Sequence, residues 1–186
     1  MTMTERTSAF TLRRLSDPID AELHALADVL ADCVEGGASV SFMPPLSHER
    51  ALAFWQRVAQ DVRLGNRALI VAEDDAGICG TVQLVLDLPE NQPHRAELVK
   101  MLVHHRARRR GLAASLMRAA ESTALDCGRN LLVLDAVTGG DAERLYTRLG
   151  WQRVGVIPRF ALMPDGSSCA TTFFYKDLSV AEAPRP

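Results

Sequence analysis

Apolar positions change period several times along the chain, and each change marks an element. Residues 10–15 read as a short first strand. Asp17-Pro18 then opens a helix, because proline suits a first helical turn. Leu23, Leu26, Ala27, Leu30 and Val34 form its apolar stripe, and Gly36-Gly37 ends it. After a loop closing on Pro44-Pro45, Ser47 caps a second helix with Leu52, Trp55, Val58, Ala59 and Val62 on one face and Gly65 at its end. The period then shortens. Residues 68–73 and 78–86 read as a hairpin around Asp74-Asp75-Ala76-Gly77, and 96–103 as a third strand. A long helix over 111–127, an apolar strand over 130–136 and a short helix over 142–149 follow. Strands over 152–157 and 171–176 flank a turn at Pro164-Asp165-Gly166.

This order predicts an α/β fold, a mixed central sheet flanked by helices, in one domain over 10–178. Residues 1–9 and 179–186 are expected to be flexible ends. A chain of 186 residues suits a single domain.

Composition narrows the function classes. A net charge of -2 gives no global attraction to nucleic acid or to an anionic membrane, and the apolar runs are too short to cross a bilayer. Cys33, Cys79, Cys127 and Cys169 lie more than 40 residues apart, without the spacing of a zinc site or redox pair. The simple reading is a reducing cytoplasm and no metal. Of the 21 lysine and arginine residues, only Lys100 and Lys176 are lysines.

The most informative stretch is His104-His105-Arg106-Ala107-Arg108-Arg109-Arg110-Gly111-Leu112-Ala113, between a strand and a helix. Unpaired amides at a helix start form an anion site, and arginines add charge-assisted contacts. The residues alone leave three readings: a phosphate site, a nucleic-acid contact and a solvated loop. The absence of interleaved aromatics speaks against the second.

The run Arg108-Arg109-Arg110-Gly111-Leu112-Ala113 has the form Arg/Gln-x-x-Gly-x-Gly/Ala. It resembles the coenzyme A pyrophosphate signature of the GCN5-related N-acetyltransferase (GNAT) superfamily. It departs from the usual turn by Arg109 in place of a glycine and His105 in place of a proline. The late helix Ala142-Glu143-Arg144-Leu145-Tyr146-Thr147-Arg148-Leu149-Gly150-Trp151 and the element order extend the likeness. Val34-Glu35-Gly36-Gly37-Ala38-Ser39-Val40-Ser41-Phe42-Met43, Arg95-Ala96-Glu97, Lys100, Asp135 and Pro164-Asp165-Gly166 resemble the tabtoxin-resistance acetyltransferases within the superfamily.

The resemblance implies an acetyl-CoA-dependent N-acetyltransferase acting on a primary amine of a small molecule, amino acid-like or a toxin or antibiotic. Direct attack within a ternary complex is expected. It implies cofactor contacts from Met101, Leu102, Val103, Arg108, Arg109, Arg110, Gly111, Leu112 and Ala113. Glu97 is then a general base or amine anchor, unless it pairs with Lys100 or a nearby arginine or sits at an exposed edge. Asp135 binds the acceptor ammonium or works with Glu97, unless it caps the loop through Thr138 and Gly139. Tyr146 protonates the departing sulfur, unless it is a packing residue beside Leu145 and Leu149. Glu35, Phe42, Met43, Arg159 and Phe160 shape the acceptor pocket, with Arg159 available for a carboxylate. His104 and His105 either touch phosphate or water or form a surface pair. Alternatives to small-molecule transfer are acetylation of a protein N-terminus or lysine, and a non-catalytic acyl-CoA sensor. A homodimer is the expected oligomer, because two-fold dimers are the commonest.

Overall fold

The computed structural model describes residues 4–7 and 10–179; the rest of the two expected flexible ends lies outside the described residues. Strands β1 (Thr4–Thr7) and β2 (Phe10–Leu15) lead into helices α1 (Asp20–Glu35) and α2 (His48–Arg63). Strands β3 (Arg67–Asp74), β4 (Gly77–Val85) and β5 (Arg95–Val103) follow, then a 3-10 turn (His105–Ala107) and α3 (Leu112–Asp126). Strand β6 (Leu131–Val137), helix α4 (Asp141–Arg148) and strands β7 (Gln152–Leu162) and β8 (Ser168–Asp177) complete the chain. The eight strands form one sheet in the order β1-β2-β3-β4-β5-β6-β8-β7. Among the described residues only β5 and β6 run parallel; the other neighbours are antiparallel. The mixed sheet flanked by helices is the architecture that the hydrophobic pattern predicts.

Three details differ from that pattern. Thr4–Thr7 pairs with β2 as an edge strand, within the segment expected to be flexible. Helix α1 begins at Asp20 rather than at Asp17-Pro18. Arg63 holds those two residues outside the helix, with Nε donating to Asp17 Oδ1 at 2.6 Å and Nη2 to Pro18 O at 2.9 Å. Strand β7 extends past residue 157 to Leu162, across an irregularity that contains Arg159 at φ 53°.

Two apolar cores sandwich the sheet. Helices α3 and α4 close one, through Leu112, Leu116, Met117, Ala120 and Tyr146 over Val82, Leu84, Ala96, Leu98 and Phe174. Helices α1 and α2 close the other, through Leu26, Leu30, Trp55 and Val58 over Leu69, Val71 and Leu102. Strand β5 contributes to both. Ala96 and Leu98 face α3, whereas Leu102 faces α1 and α2. The switch happens at a bulge, where Lys100 and Met101 lie opposite Val82 between the pairs Gln83↔Val99 and Thr81↔Leu102.

Helix α3 approaches the sheet closely at Gly80. A Cβ there would meet Leu112 Cδ2 and Leu116 Cδ1, each at 3.1 Å, and Leu102 O at 3.2 Å. Gly80→Ala should therefore lower the unfolding free energy by about 1–3 kcal/mol, the usual cost of overpacking, measured by urea denaturation. The pattern of methyl shifts at Leu112 and Leu116 should show where the helix yields.

Candidate active site

The site begins where β5 and β6 part. Their parallel register covers Arg95↔Leu131, Ala96↔Leu132 and Glu97↔Val133 and then stops. Residues 98–103 keep β4 on one side but have no strand partner on the other among the described residues. A wedge thus opens in the middle of the sheet, lined by backbone N–H and C=O groups that require partners.

The wedge runs into the arginine-rich turn. Arg109 lies at φ 60° and Gly111 at φ 80°, both left-handed, and Gly111 is the N-cap of α3. Arg109 takes this left-handed conformation at the steric cost of a side chain. The first backbone bond into the helix is Ser115 N–H to Gly111 O. Among the described residues the amides of 109–114 have no acceptor, and the helix dipole adds positive potential there. Added atoms at Gly111 would meet nothing within 4 Å, so the cradle is open.

Two side chains absent from the sequence-derived set hold this turn. Asp32 Oδ2 accepts the His105 backbone N–H at 2.8 Å, and Oδ1 bonds the His105 ring. Arg106 Nη2 donates to Asp74 Oδ1 at 3.1 Å, Gly77 O at 3.0 Å and Ile78 O at 3.1 Å, which ties the turn to the β3–β4 hairpin. These hydrogen bonds hold Asp32 below the ordinary carboxylate range despite its burial, while burial pushes His104 below the usual imidazole value. Asp32, His104 and His105 bring potential metal-ligand atoms within 4.8 Å of one another, with Arg108 3.9 Å from Asp32, whose two oxygens are already hydrogen-bonded to His105.

The arginines do not act alike. Arg108 turns back, its Nε donating to Val103 O at 3.1 Å. Arg110 lies over the Phe10 ring, 4.5 Å from its centroid. Arg109 is exposed at the lip of the cradle. Met101 and Val103 pack toward the α3 core and Leu102 toward the α1–α2 core, so what these residues offer the wedge is backbone.

A cavity of about 400 Å³ lies beyond the wedge, lined by Ser41, Phe42, Met43, Asp135, Phe160 and Leu162 among others. Ser39 Oγ donates to Leu162 O at 2.8 Å and so joins the early loop to β7 across its rim. Glu35 and Arg159 are exposed and do not line it. Asp135 faces this cavity, while the protein packed behind it raises its carboxyl above the usual range; Lys100 opposes that shift and Glu97 adds to it. Asp135 is not a loop cap: the Gly139 N–H bonds Glu143, and Thr138 Oγ1 pairs with Thr172 Oγ1 at 2.9 Å. Glu97 does not line the cavity and pairs with Arg95 at 2.9 Å, one of the two partner types open to it from the residues alone. Tyr146 packs edge-on to Phe174 with a centroid distance of 5.9 Å. It is 4% exposed, and its hydroxyl has no hydrogen-bond partner among the described residues. Burial, and then the Asp135 charge, push this phenol well above the ordinary tyrosine range.

The signs at Asp135 give a stability prediction. A carboxyl whose folded-state pKa is raised favours folding below its unfolded pKa and loses that contribution as pH rises through the folded value. At pH 7 the charged form is therefore a net cost. Asp135→Asn should raise Tm at pH 7, with the gain over wild type shrinking as pH falls through the carboxylate range. Calorimetric scans from pH 4 to 7 measure this; a Tm lowered at pH 7 would contradict it.

Comparisons with known proteins fit this geometry. The family profile described as acetyltransferase (GNAT) domain matches residues 65–153, which span β3, the wedge, the arginine turn and α4. Among solved structures, Salmonella typhimurium yncA, described with its cofactor acetyl-CoA, has a TM-score of 0.75 at 20% identity, covering 96% of this chain and 99% of that one. A ribosomal-protein-alanine N-acetyltransferase of Brucella melitensis has a TM-score of 0.75 at 22% identity, covering 90% and 99%. A GCN5-related N-acetyltransferase of Kribbella flavida has a TM-score of 0.73 at 22% identity, covering 91% and 98%. At these identities the structures attest the fold, which spans nearly the whole chain, and the profile matches 89 of the 186 residues. Over residues 65–153 the chain is similar to the acetyltransferase (GNAT) domain family, and its fold is that of these solved structures.

Proposed function

We propose that the protein transfers an acetyl group from acetyl-CoA to a primary amine of a small molecule, by direct attack with both substrates bound. The observation that carries this reading is the continuity of three parts: a wedge of unpartnered backbone, a cradle of free amides at its end, and an open cavity with a carboxylate in its wall. The amides of residues 109–114 suit a diphosphate, and the wedge between β5 and β6 suits an extended amide-bearing arm that adds to a strand edge. The thioester supplies an acyl group activated toward amines. The cavity of about 400 Å³ fits a small acceptor better than a protein segment.

The chain's residues then divide the proton work. An acceptor ammonium must lose one proton before its nitrogen can attack the thioester carbonyl carbon. Asp135 faces the acceptor cavity and takes that ammonium, while Glu97 behind it strengthens it as a base and passes the proton to water. A backbone N–H of β5 near Leu102 stabilises the charge that builds on the carbonyl oxygen. As the new C–N bond forms and the C–S bond breaks, Tyr146 gives its proton to the sulfur and regains one from the nitrogen. A phenol held protonated by burial suits a donor that must not ionise first.

The early-loop likeness to tabtoxin-resistance enzymes supports a detoxifying role for the same chemistry. A homodimer is supported by β7, an edge strand of the sheet that exposes Val154, Val156, Ile157 and Leu162. Light scattering of the full chain would test the dimer.

Isothermal titration with acetyl-CoA, and a screen of amines for thiol release, test the main reading. Binding without release for any amine would leave an acyl-CoA sensor, and no binding at millimolar cofactor would end both. Gly111→Trp should weaken acetyl-CoA binding by at least about 10²-fold, because the indole fills the open cradle. Circular dichroism should show the helices retained despite the left-handed φ of 80°. Tyr146→Phe should bind acetyl-CoA normally and lose about 10²-fold in kcat with little change in KM. Turnover within twofold of wild type would remove the hydroxyl from the mechanism.

A further inference from the structure

The acceptor cavity carries one charge in its wall. Among the described residues that line it, Asp135 alone is ionised at neutral pH. Arg159 is exposed outside the lining, and Lys100 donates to Ser41 Oγ at 3.0 Å without lining it. Ser39 Oγ spends its proton on Leu162 O at 2.8 Å. The wall therefore holds a partner for an ammonium and no cation for a carboxylate. An acidic group brought into it would meet a charge of its own sign, an arrangement that works against binding.

The rest of the wall is largely apolar, and contacts behind it hold it in place. Asp135 of β6 stands directly opposite Phe173 of β8 in the antiparallel register, so the two side chains share one face of the sheet. The Phe160 ring of β7 packs edge-on against Phe173, with centroids 5.5 Å apart and planes at 90°. An aromatic side chain is thus fixed beside the carboxylate. The early loop supplies a second ring. Phe42 packs edge-on to Phe54 at 5.3 Å, and Phe54 in turn on the fully buried Trp55 at 5.1 Å, which anchors that ring to α2. Met43, Phe160 and Leu162 line the cavity and remain 38%, 49% and 53% exposed, so large apolar side chains are left uncovered around one charge. Apolar surface gathered in a concave site about a single polar group is the usual make-up of a small-molecule pocket.

We propose that the acceptor is a primary amine carried on an aromatic or branched apolar body and bearing no acidic group, its ammonium toward Asp135 and its body against Phe42, Met43, Phe160 and Leu162. This rests on the transferase reading above and narrows it: free α-amino acids and short polar amines are excluded. Such a molecule brings one positive charge, which Asp135 neutralises. Its body covers apolar side chains that otherwise meet water. Aromatic walls also suit a cation better than an anion, because ring faces carry negative charge density. Transfer converts the ammonium into a neutral amide, which the Asp135 charge no longer holds, so the product is bound less tightly than the amine.

The test pairs 2-phenylethylamine with L-phenylalanine and isoamylamine with L-leucine, and adds ethanolamine as a short polar amine. Each is assayed with acetyl-CoA for thiol release and titrated into the coenzyme A-loaded protein. Each apolar amine should exceed its amino acid in kcat/KM, and exceed ethanolamine, by at least about 10-fold, the scale of an uncompensated charge or of a few buried methylenes. Phe160→Ser should cost 2-phenylethylamine about 10-fold more than it costs ethanolamine. Met43→Arg should put a cation in the wall and narrow the ratio of amine to amino acid. Both positions are exposed, so the fold should tolerate the changes. An amino acid used as well as its amine, ethanolamine used as well as 2-phenylethylamine, no amine bound, a peptide amine preferred to every small one, or ratios untouched by both substitutions would each overturn the proposal. Preferential acetylation of the amino acids would do so while leaving acetyl transfer standing. Selective binding of the apolar amines without thiol release would support the proposal and count against transfer.

Discussion

Strands β5 and β6 run parallel, and they stay in register for three residue pairs before they separate. Every backbone amide and carbonyl in the separated stretch still has to be satisfied. Much else in the structure serves to keep that gap open and useful. The bulge at Lys100 and Met101 lets β5 supply one core before it and the other core after it, so both faces stay packed while the strand bends away from β6. The turn after β5 is held from two sides, by Asp32 of α1 and by Arg106 reaching the β3–β4 hairpin. Its free amides are thereby fixed at the mouth of the gap without depending on the exposed arginines.

The same arrangement keeps Lys100 and Asp135 apart. Asp135 lies on β6 past its last residue paired with β5, and Lys100 at the bulge of β5, so the separation of the strands keeps them from meeting as partners. Burial acts against both ionised forms, upward on the carboxyl and downward on the ammonium. Tyr146, on α4, is locked in the adjoining core by Phe174 and Trp151 and kept protonated there. Opposite charges that the fold does not neutralise are a cost to stability.

Much of this was legible in the residues. Glycines at 36, 65, 111 and 128 punctuate the helices, and the switch from period 3.6 to period 2 places β3, β4 and β5. The anion cradle follows from a short local motif. What stayed hidden depends on distance in the chain or on backbone geometry. Asp32 reaches a residue 73 positions away, so no local pattern marks it. The bulge leaves Val99, Lys100, Met101 and Leu102 looking like continuous strand, and only the structure shows that Lys100 turns toward Ser41. Glu97 and Arg159, chosen for their residue types, stand beside the cavity rather than in its wall, because side-chain direction on a bent strand is not set by spacing alone.

Amide hydrogen exchange of the full chain, with and without coenzyme A, tests most directly whether the gap and the turn form one cofactor site. The account predicts that added coenzyme A slows exchange in residues 98–103 and 109–114 together. Coenzyme A binding that leaves both stretches exchanging at their free rate would contradict it.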